Sequence, residues 1–86
     1  MKVQVLVARN IRRLRVGLSL SQESLATDAG IDRTYVSRLE RAKENPTVAV
    51  LEKVASALNC DIRDLFDPAR VTKPIRPLQS GRHARG

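Results

Sequence analysis

The stretch from Ser21 to Glu40 constrains the fold most strongly, because two short helical patterns meet in it at a glycine. Ser21 and Asp32 each precede one pattern, and a short side-chain oxygen there can accept a hydrogen bond from an otherwise unpaired backbone N–H. Gly30 has the backbone freedom that a tight turn between two helices needs. The apolar residues that recur at helical spacing around it are Leu25, Ala26, Ala29, Val36 and Leu39. The spacing therefore predicts a helix-turn-helix.

Two helices are predicted from this stretch and one before it. The pair covers Gln22 to Ala29 and then Arg33 to about Ala42. An earlier helix is expected over Lys2 to Val16, with Gly17 ending it. The apolar stripe of that earlier helix consists of Val7, Ile11, Leu14 and Leu18.

Two further helices are predicted after the pair. Thr47 is expected to cap a fourth helix, and Asp61 with Asp64 resembles a capping pair for a short fifth helix, Ile62 to Phe66. The apolar positions of the fourth helix are Val48, Leu51, Val54, Ala55 and Leu58. We therefore expect an all-α bundle of about five short helices in one small domain, residues 1–67.

The same residues resemble the helix-turn-helix domain of the phage Cro and C1 repressors and their bacterial relatives, the XRE-like family. The resemblance extends from about Ile11 to Phe66. It is carried by Gln22, Leu25, Ala26, Ala29, Gly30, Ile31, Tyr35, Val36, Ser37, Leu39, Glu40 and the later Asn45, Pro46 and Thr47. It implies a lambda-repressor-like fold and binding of double-stranded DNA as a sequence-specific transcriptional regulator.

The third helix is then the expected recognition helix, which would enter the major groove with its N-terminal residues deepest. Its outward face carries the four candidates for base contacts, Arg33, Thr34, Ser37 and Arg38. Arginine can donate to guanine O6 and N7 together, and threonine can bond a base edge or touch a thymine methyl. The alternative for the two arginines is ordinary helix-surface charge.

Other residues are candidates for contacts to the DNA backbone or for structural roles. In relatives the glutamine that matches Gln22 bonds a phosphate or a base edge, although Gln22 could also be a plain exposed residue. The further backbone candidates are Arg12, Tyr35, Lys43 and Asn45. The arginines of the first helix could instead form a solvated face. The resemblance also implies a structural ion pair between Arg15 and Glu40.

The resemblance implies a two-fold dimer as well, formed by the last helix and the loop before it. Its candidate residues, shared with the core, are Ile62, Leu65 and Phe66. A homodimer would bind an inverted repeat whose half-site centres lie about 34–36 Å apart. Two alternatives stay open at this point: an antitoxin whose main partner is a toxin, and a nonspecific nucleic-acid-binding protein.

The charge distribution bears on the second alternative. The chain carries a net charge of +7, but residues 1–67 hold eleven lysines and arginines against nine acids. Residues 68–86 hold five cations, three prolines, two glycines and no acid, so we expect a disordered basic tail. That tail could solubilise the protein, contact phosphates nonspecifically, or pair through Val71 to Leu78 with another subunit. The helix-turn-helix, rather than bulk basicity, therefore identifies the folded part as a DNA binder.

Composition argues against several other classes. Tyr35 and Phe66 are the only aromatic residues, so a base-stacking platform for single strands is not expected. His83 is the only histidine and lies in the tail, so neither a catalytic triad, a metal site nor a cofactor is expected. Cys60 is a lone cysteine that we assign to packing rather than redox chemistry. The apolar run Val3 to Ala8 is too short for a membrane span or signal peptide, which predicts a cytoplasmic protein. The lack of a catalytic arrangement in the sequence predicts that the protein is not an enzyme.

Overall fold

The computed structural model describes residues 1–68 of the chain, which form four α-helices and one 3₁₀ helix. The α-helices are α1 (Val3–Gly17), α2 (Gln22–Ala29), α3 (Arg33–Glu40) and α4 (Val48–Ala57). The segment predicted as a fifth helix is the 3₁₀ helix, Ile62–Phe66. Residues 1–68 contain no strand, so the all-α class is confirmed for them. The predicted basic tail lies outside the described residues, apart from Pro68.

The helices after α1 begin where the sequence predicts, because short polar side chains cap them. α1 begins at Val3, and its N-cap residue Lys2 makes no side-chain cap hydrogen bond. Ser24 donates its backbone N–H to Ser21 Oγ over 2.9 Å at the start of α2. Thr34 donates to Asp32 Oδ2 over 3.0 Å at the start of α3. At the 3₁₀ helix, Asp61 accepts from the backbone of Arg63 while Asp64 accepts from the backbone of Asp61, a complete capping box.

The four α-helices end in a common way, and only one of these ends has a glycine that marks it in the sequence. After each helix one residue has a left-handed φ near +60°, and these residues are Ser19, Gly30, Ala42 and Asn59. The residue that follows each of them donates its N–H five residues back, as Ile31 does to the Ala26 carbonyl over 2.9 Å. Two predicted boundaries were therefore wrong: Gly17 is still helical, and α3 ends at Glu40 rather than near Ala42.

The core lies where α1, α2, α3, α4 and the 3₁₀ helix meet. The corner between α2 and α3 is closed by the apolar positions predicted for it, and Leu25 and Val36 are fully buried there. The other fully buried large apolar side chains among residues 1–68 are Ile11, Leu39, Val54 and Leu65. Leu18 is a correction to the predicted stripe, because it lies just beyond α1 and is 43% exposed. The core thus fixes α3 against α2 through their facing apolar sides.

Asn10 is the one polar side chain fully buried in this core, among residues 1–68. Its Nδ2 donates to the Leu65 carbonyl over 2.9 Å and to the Asp67 carbonyl over 3.2 Å. A buried amide stabilises a fold only where it is hydrogen-bonded. The Nδ2 group replaces water for two backbone carbonyls at the end of the 3₁₀ helix, whereas Oδ1 is buried with no hydrogen-bond partner among residues 1–68. Asn10 therefore holds that segment against α1.

No helix in the described part of the chain is long and apolar enough to cross a membrane.

Replacing Ser19 with glycine is expected to raise the free energy of unfolding by about 1 kcal/mol, because an L residue is strained at a left-handed φ and glycine is not. Ser19 has a φ of 59° and an exposed side chain, so the change removes no buried contact. Ser56→Gly is the matched control in α4, where glycine should lower the free energy by about 0.5–1 kcal/mol. Urea denaturation followed by circular dichroism measures both, and a lower midpoint for Ser19→Gly would contradict the expectation.

Candidate nucleic-acid interface

The outward face of α3 is polar and accessible. Arg33 and Thr34 are exposed in its first turn, Ser37 is half-buried, and Arg38 is exposed one turn further along. Val36 and Leu39 point the other way and are 0% and 2% exposed. The packing therefore presents the four candidate base-contact residues to solvent on a helix whose opposite side is fixed in the core.

The other end of α3 is fixed by a buried ion pair. Arg15 Nε lies 2.6 Å from Glu40 Oε2, and Arg15 Nη2 donates to Glu40 Oε1 over 3.0 Å. The side chains are only 12% and 2% exposed, and Arg15 Nη1 also donates to the Leu20 carbonyl over 2.8 Å. The expected pairing of Arg15 with Glu40 is present. A two-point bond of this kind sets orientation as well as distance.

Gln22 belongs to the same cluster. Its Nε2 donates to Glu40 Oε1 over 3.1 Å, and the side chain is half-buried. One amide N–H of Gln22 is therefore used inside the protein, which leaves the rest of the amide for the DNA contact that the resemblance implies. Glu40 thus joins α1, α2 and α3 through a single carboxylate.

Tyr35 on α3 is half-buried and packs against the core. Burial raises the pKa of the Tyr35 hydroxyl, and the negative charge of Glu44 raises it further. The hydroxyl therefore stays protonated at neutral pH and can donate a hydrogen bond to an anionic oxygen. The contact of Tyr35 with a phosphate stays a prediction.

The loop from α3 to α4 carries a second ion pair that the sequence analysis missed. Arg38 Nε lies 2.6 Å from Glu44 Oε2, and Arg38 Nη2 donates to the Lys43 carbonyl over 3.1 Å. Gln4 on α1 donates its Nε2 to the Glu44 carbonyl over 2.6 Å. The only signal in the sequence is one acid six residues after an arginine, and its meaning depends on the turn at Ala42.

The remaining candidates for phosphate contacts are on the surface. Lys43 and Asn45 are exposed in this loop, and Arg12 is exposed on α1. Asp32 is also exposed, but its carboxylate caps α3 through the Thr34 N–H. That N–H is therefore not available to a phosphate.

The three candidate dimer residues have different surroundings. Leu65 was expected to be shared between the core and the interface; it is 0% exposed and lies in the core of its own subunit. Ile62 is half-buried against the core, and Phe66 is 39% exposed.

The buried role of Asn10 was not predicted from the sequence, although position 10 falls on the apolar face of α1 beside Val7 and Ile11. A polar residue on a buried face was the available signal.

Among residues 1–68, no group of three histidine, cysteine or acidic side chains is placed to hold a metal ion.

Comparison with known proteins gives consistent matches. A sequence model of the family described as "Helix-turn-helix" matches residues 11–65. Control protein C.SmaI of Serratia marcescens is 38% identical over 66 residues, which are 77% of this chain and 79% of that protein. A hypothetical transcription factor of Neisseria meningitidis is 41% identical over 77% of this chain but only 62% of its own length.

Solved structures agree with the sequence matches. The restriction-modification controller protein C.AhdI from Aeromonas hydrophila has a TM-score of 0.72 and 40% identity, covering 73% of this chain and 96% of that one. The controller protein C.Esp1396I, solved as a tetramer in complex with its natural 35 base-pair operator, has a TM-score of 0.75 and 28% identity. That match covers 85% of this chain and 99% of the controller chain.

Glu40→Ala is expected to lower the free energy of unfolding by about 3 kcal/mol, because the guanidinium of Arg15 would stay buried without its counter-charge. The double variant Arg15→Met, Glu40→Leu should lose clearly less than the sum of the two single changes, since it removes both charges and restores apolar volume. Urea denaturation of Arg15→Met, Glu40→Leu and the double variant measures the coupling. Losses that simply add would contradict a direct pairing.

Proposed function

We propose that this chain, which belongs to the Cro/C1-type helix-turn-helix family, is a sequence-specific transcriptional regulator of the restriction-modification controller type. One observation carries the proposal: the exposed polar face of α3 stands on a rigid two-helix platform in a chain that matches controller proteins over most of its length. Families of this kind bind DNA rather than catalyse a reaction. A role on the chromosome also places the protein in the cytoplasm.

In the proposed complex α3 enters the major groove from its N-terminal end. Arg33 is exposed in the first turn, where its guanidinium can donate to both acceptors of one guanine. Thr34 beside it can bond a base edge or contact a thymine methyl. Arg38 and Ser37 lie about one turn further along and reach the next base pairs.

Contacts to the phosphates on either side then set the register of α3 in the groove. Lys43 and Asn45 extend from the loop after α3, and the protonated hydroxyl of Tyr35 lies close enough to that loop to interact with the charge of Glu44. Gln22 at the start of α2 and Arg12 on α1 contribute from the other side of the helix pair. These contacts add affinity without base preference and make binding dependent on salt.

We propose a homodimer on an inverted repeat, with half-site centres about 34–36 Å apart. Phe66 supplies exposed apolar surface for that contact at 39% exposure, and Ile62 adds its half-buried side chain. An occupied site that overlaps a promoter would exclude RNA polymerase, and a site upstream would allow activation. The controller C.Esp1396I, which binds its operator as a tetramer, is compatible with two such dimers acting together.

Arg33→Ala is expected to weaken binding to a site selected from random duplexes by about 1–3 kcal/mol and to remove the preference at one base pair. Lys53→Ala is the charge-matched control, because Lys53 is exposed on α4, on the far side of α2. It should leave the preference at every position unchanged. Footprinting and fluorescence anisotropy measure both variants, and equal losses on selected and random DNA would refute base recognition by Arg33.

Removal of residues 69–86 is expected to flatten the salt dependence of binding, because that segment contains five lysines and arginines and each phosphate contact adds about 0.9 to the slope. Sequence preference and the circular dichroism spectrum should not change. A truncated protein that loses its helical signal would show that the segment is structural. Full-length protein that is competed equally by bulk and selected DNA would favour the nonspecific alternative.

A further inference from the structure

The guanidinium of Arg38 is held on one edge and open on the other. Its Nε pairs with Glu44 Oε2 at 2.6 Å and its Nη2 donates to the Lys43 carbonyl at 3.1 Å. A guanidinium has five N–H groups in a fixed plane, so both N–H groups of Nη1 and the second one of Nη2 stay available. The Arg38 side chain is 47% exposed. Its open Nη1–Nη2 edge can donate to guanine O6 and N7 together.

Glu44 is itself fixed from two directions. Its backbone carbonyl accepts a 2.6 Å hydrogen bond from Gln4 on α1. The turn before it is closed by the Lys43 N–H, which donates to the Arg38 carbonyl over 2.8 Å, with Ala42 at a left-handed φ. The Glu44 side chain is 26% exposed, less than the arginine that it holds. The backbone of Glu44 is therefore fixed, and the ion pair holds its carboxylate against Arg38.

A fixed carboxylate at this position affects specific and nonspecific binding in opposite ways. A free arginine can follow any phosphate, and phosphate contacts supply nonspecific affinity. Glu44 restrains Arg38 and repels phosphates, so it opposes binding to random DNA. It also orders the arginine before a guanine arrives, which lowers the entropic cost of that one contact. Discrimination is a difference of two affinities. Repulsion of phosphates lowers both affinities and largely cancels in that difference, whereas restraint and ordering of Arg38 increase it.

We propose that Glu44 is a positioning residue for sequence specificity, which holds Arg38 with its Nη1–Nη2 edge directed at one guanine and away from phosphates. This inference rests on the proposed function, since it assigns a role within a DNA-reading surface. The ion pair is partly exposed and contributes little to folding stability, so its effect on recognition can be measured separately. Glu44→Gln suits that purpose, because it keeps the shape and an acceptor but removes the charge.

The test compares the affinity for a selected operator with the affinity for random duplex in wild-type protein, Glu44→Gln, Arg38→Ala and the double variant. Glu44→Gln should bind random DNA more tightly and lower the operator-to-random ratio by about tenfold, the size of one good base contact. The lost preference should fall on the same base pair that Arg38→Ala affects. In the Arg38→Ala background, Glu44→Gln should leave the ratio unchanged.

The control is Glu52→Gln, which removes the same charge from an exposed position on α4 and should leave the ratio at its wild-type value. A Glu44→Gln protein whose ratio equals that of wild type would overturn the proposal and reduce Glu44 to general repulsion. A ratio that falls equally in the Arg38→Ala background would overturn it too, since Glu44 would not act through Arg38. Wild-type protein that binds all duplexes equally would overturn the proposed function itself.

Discussion

The two-point ion pair between Arg15 and Glu40 is the interaction on which the geometry of this domain depends. It joins α1 to the last residue of α3, and Gln22 brings α2 to the same carboxylate. Apolar packing at the corner fixes how closely α2 and α3 approach, but apolar contacts are not directional. The guanidinium–carboxylate bond is directional, so it defines the angle at which α3 leaves the body of the protein. The reach of every side chain on the recognition face follows from that angle.

Much of the fold could be predicted from local chemistry. Ser21, Asp32 and Thr47 each cap the helix that was expected after them, because a cap depends only on residues within one turn. The division of α3 into a buried side and an exposed side followed from spacing alone. The Arg15–Glu40 pair joins residues 25 positions apart, and nothing local indicates it; the family resemblance supplied it. Periodicity therefore predicted the elements, and resemblance predicted one long-range contact between them.

The sequence did not predict the contacts that depend on how the helices and loops pack together. Leu65 was expected to be shared between the core and a subunit interface, but in a small core with few large side chains it is buried completely. The Arg38–Glu44 pair requires a reversal at Ala42, and alanine gives no sign of a left-handed φ as Gly30 does. Such contacts are the ones in which this domain differs from a generic helix-turn-helix. They are where individual preferences for DNA are expected to arise.

The buried amide of Asn10 gives α1 a mechanical role. Five residues before Arg15 on the same helix, it holds the carbonyls of Leu65 and Asp67, next to the surface that we assign to the second subunit. α1 thus connects the end of α3 to the surface that we propose for the dimer contact. In the proposed dimer, the rigid α1 would then fix the distance between the two recognition helices. The dimer would then bind weakly to an operator with one base pair more or less between its half-sites, even when the sequence of each half-site is correct.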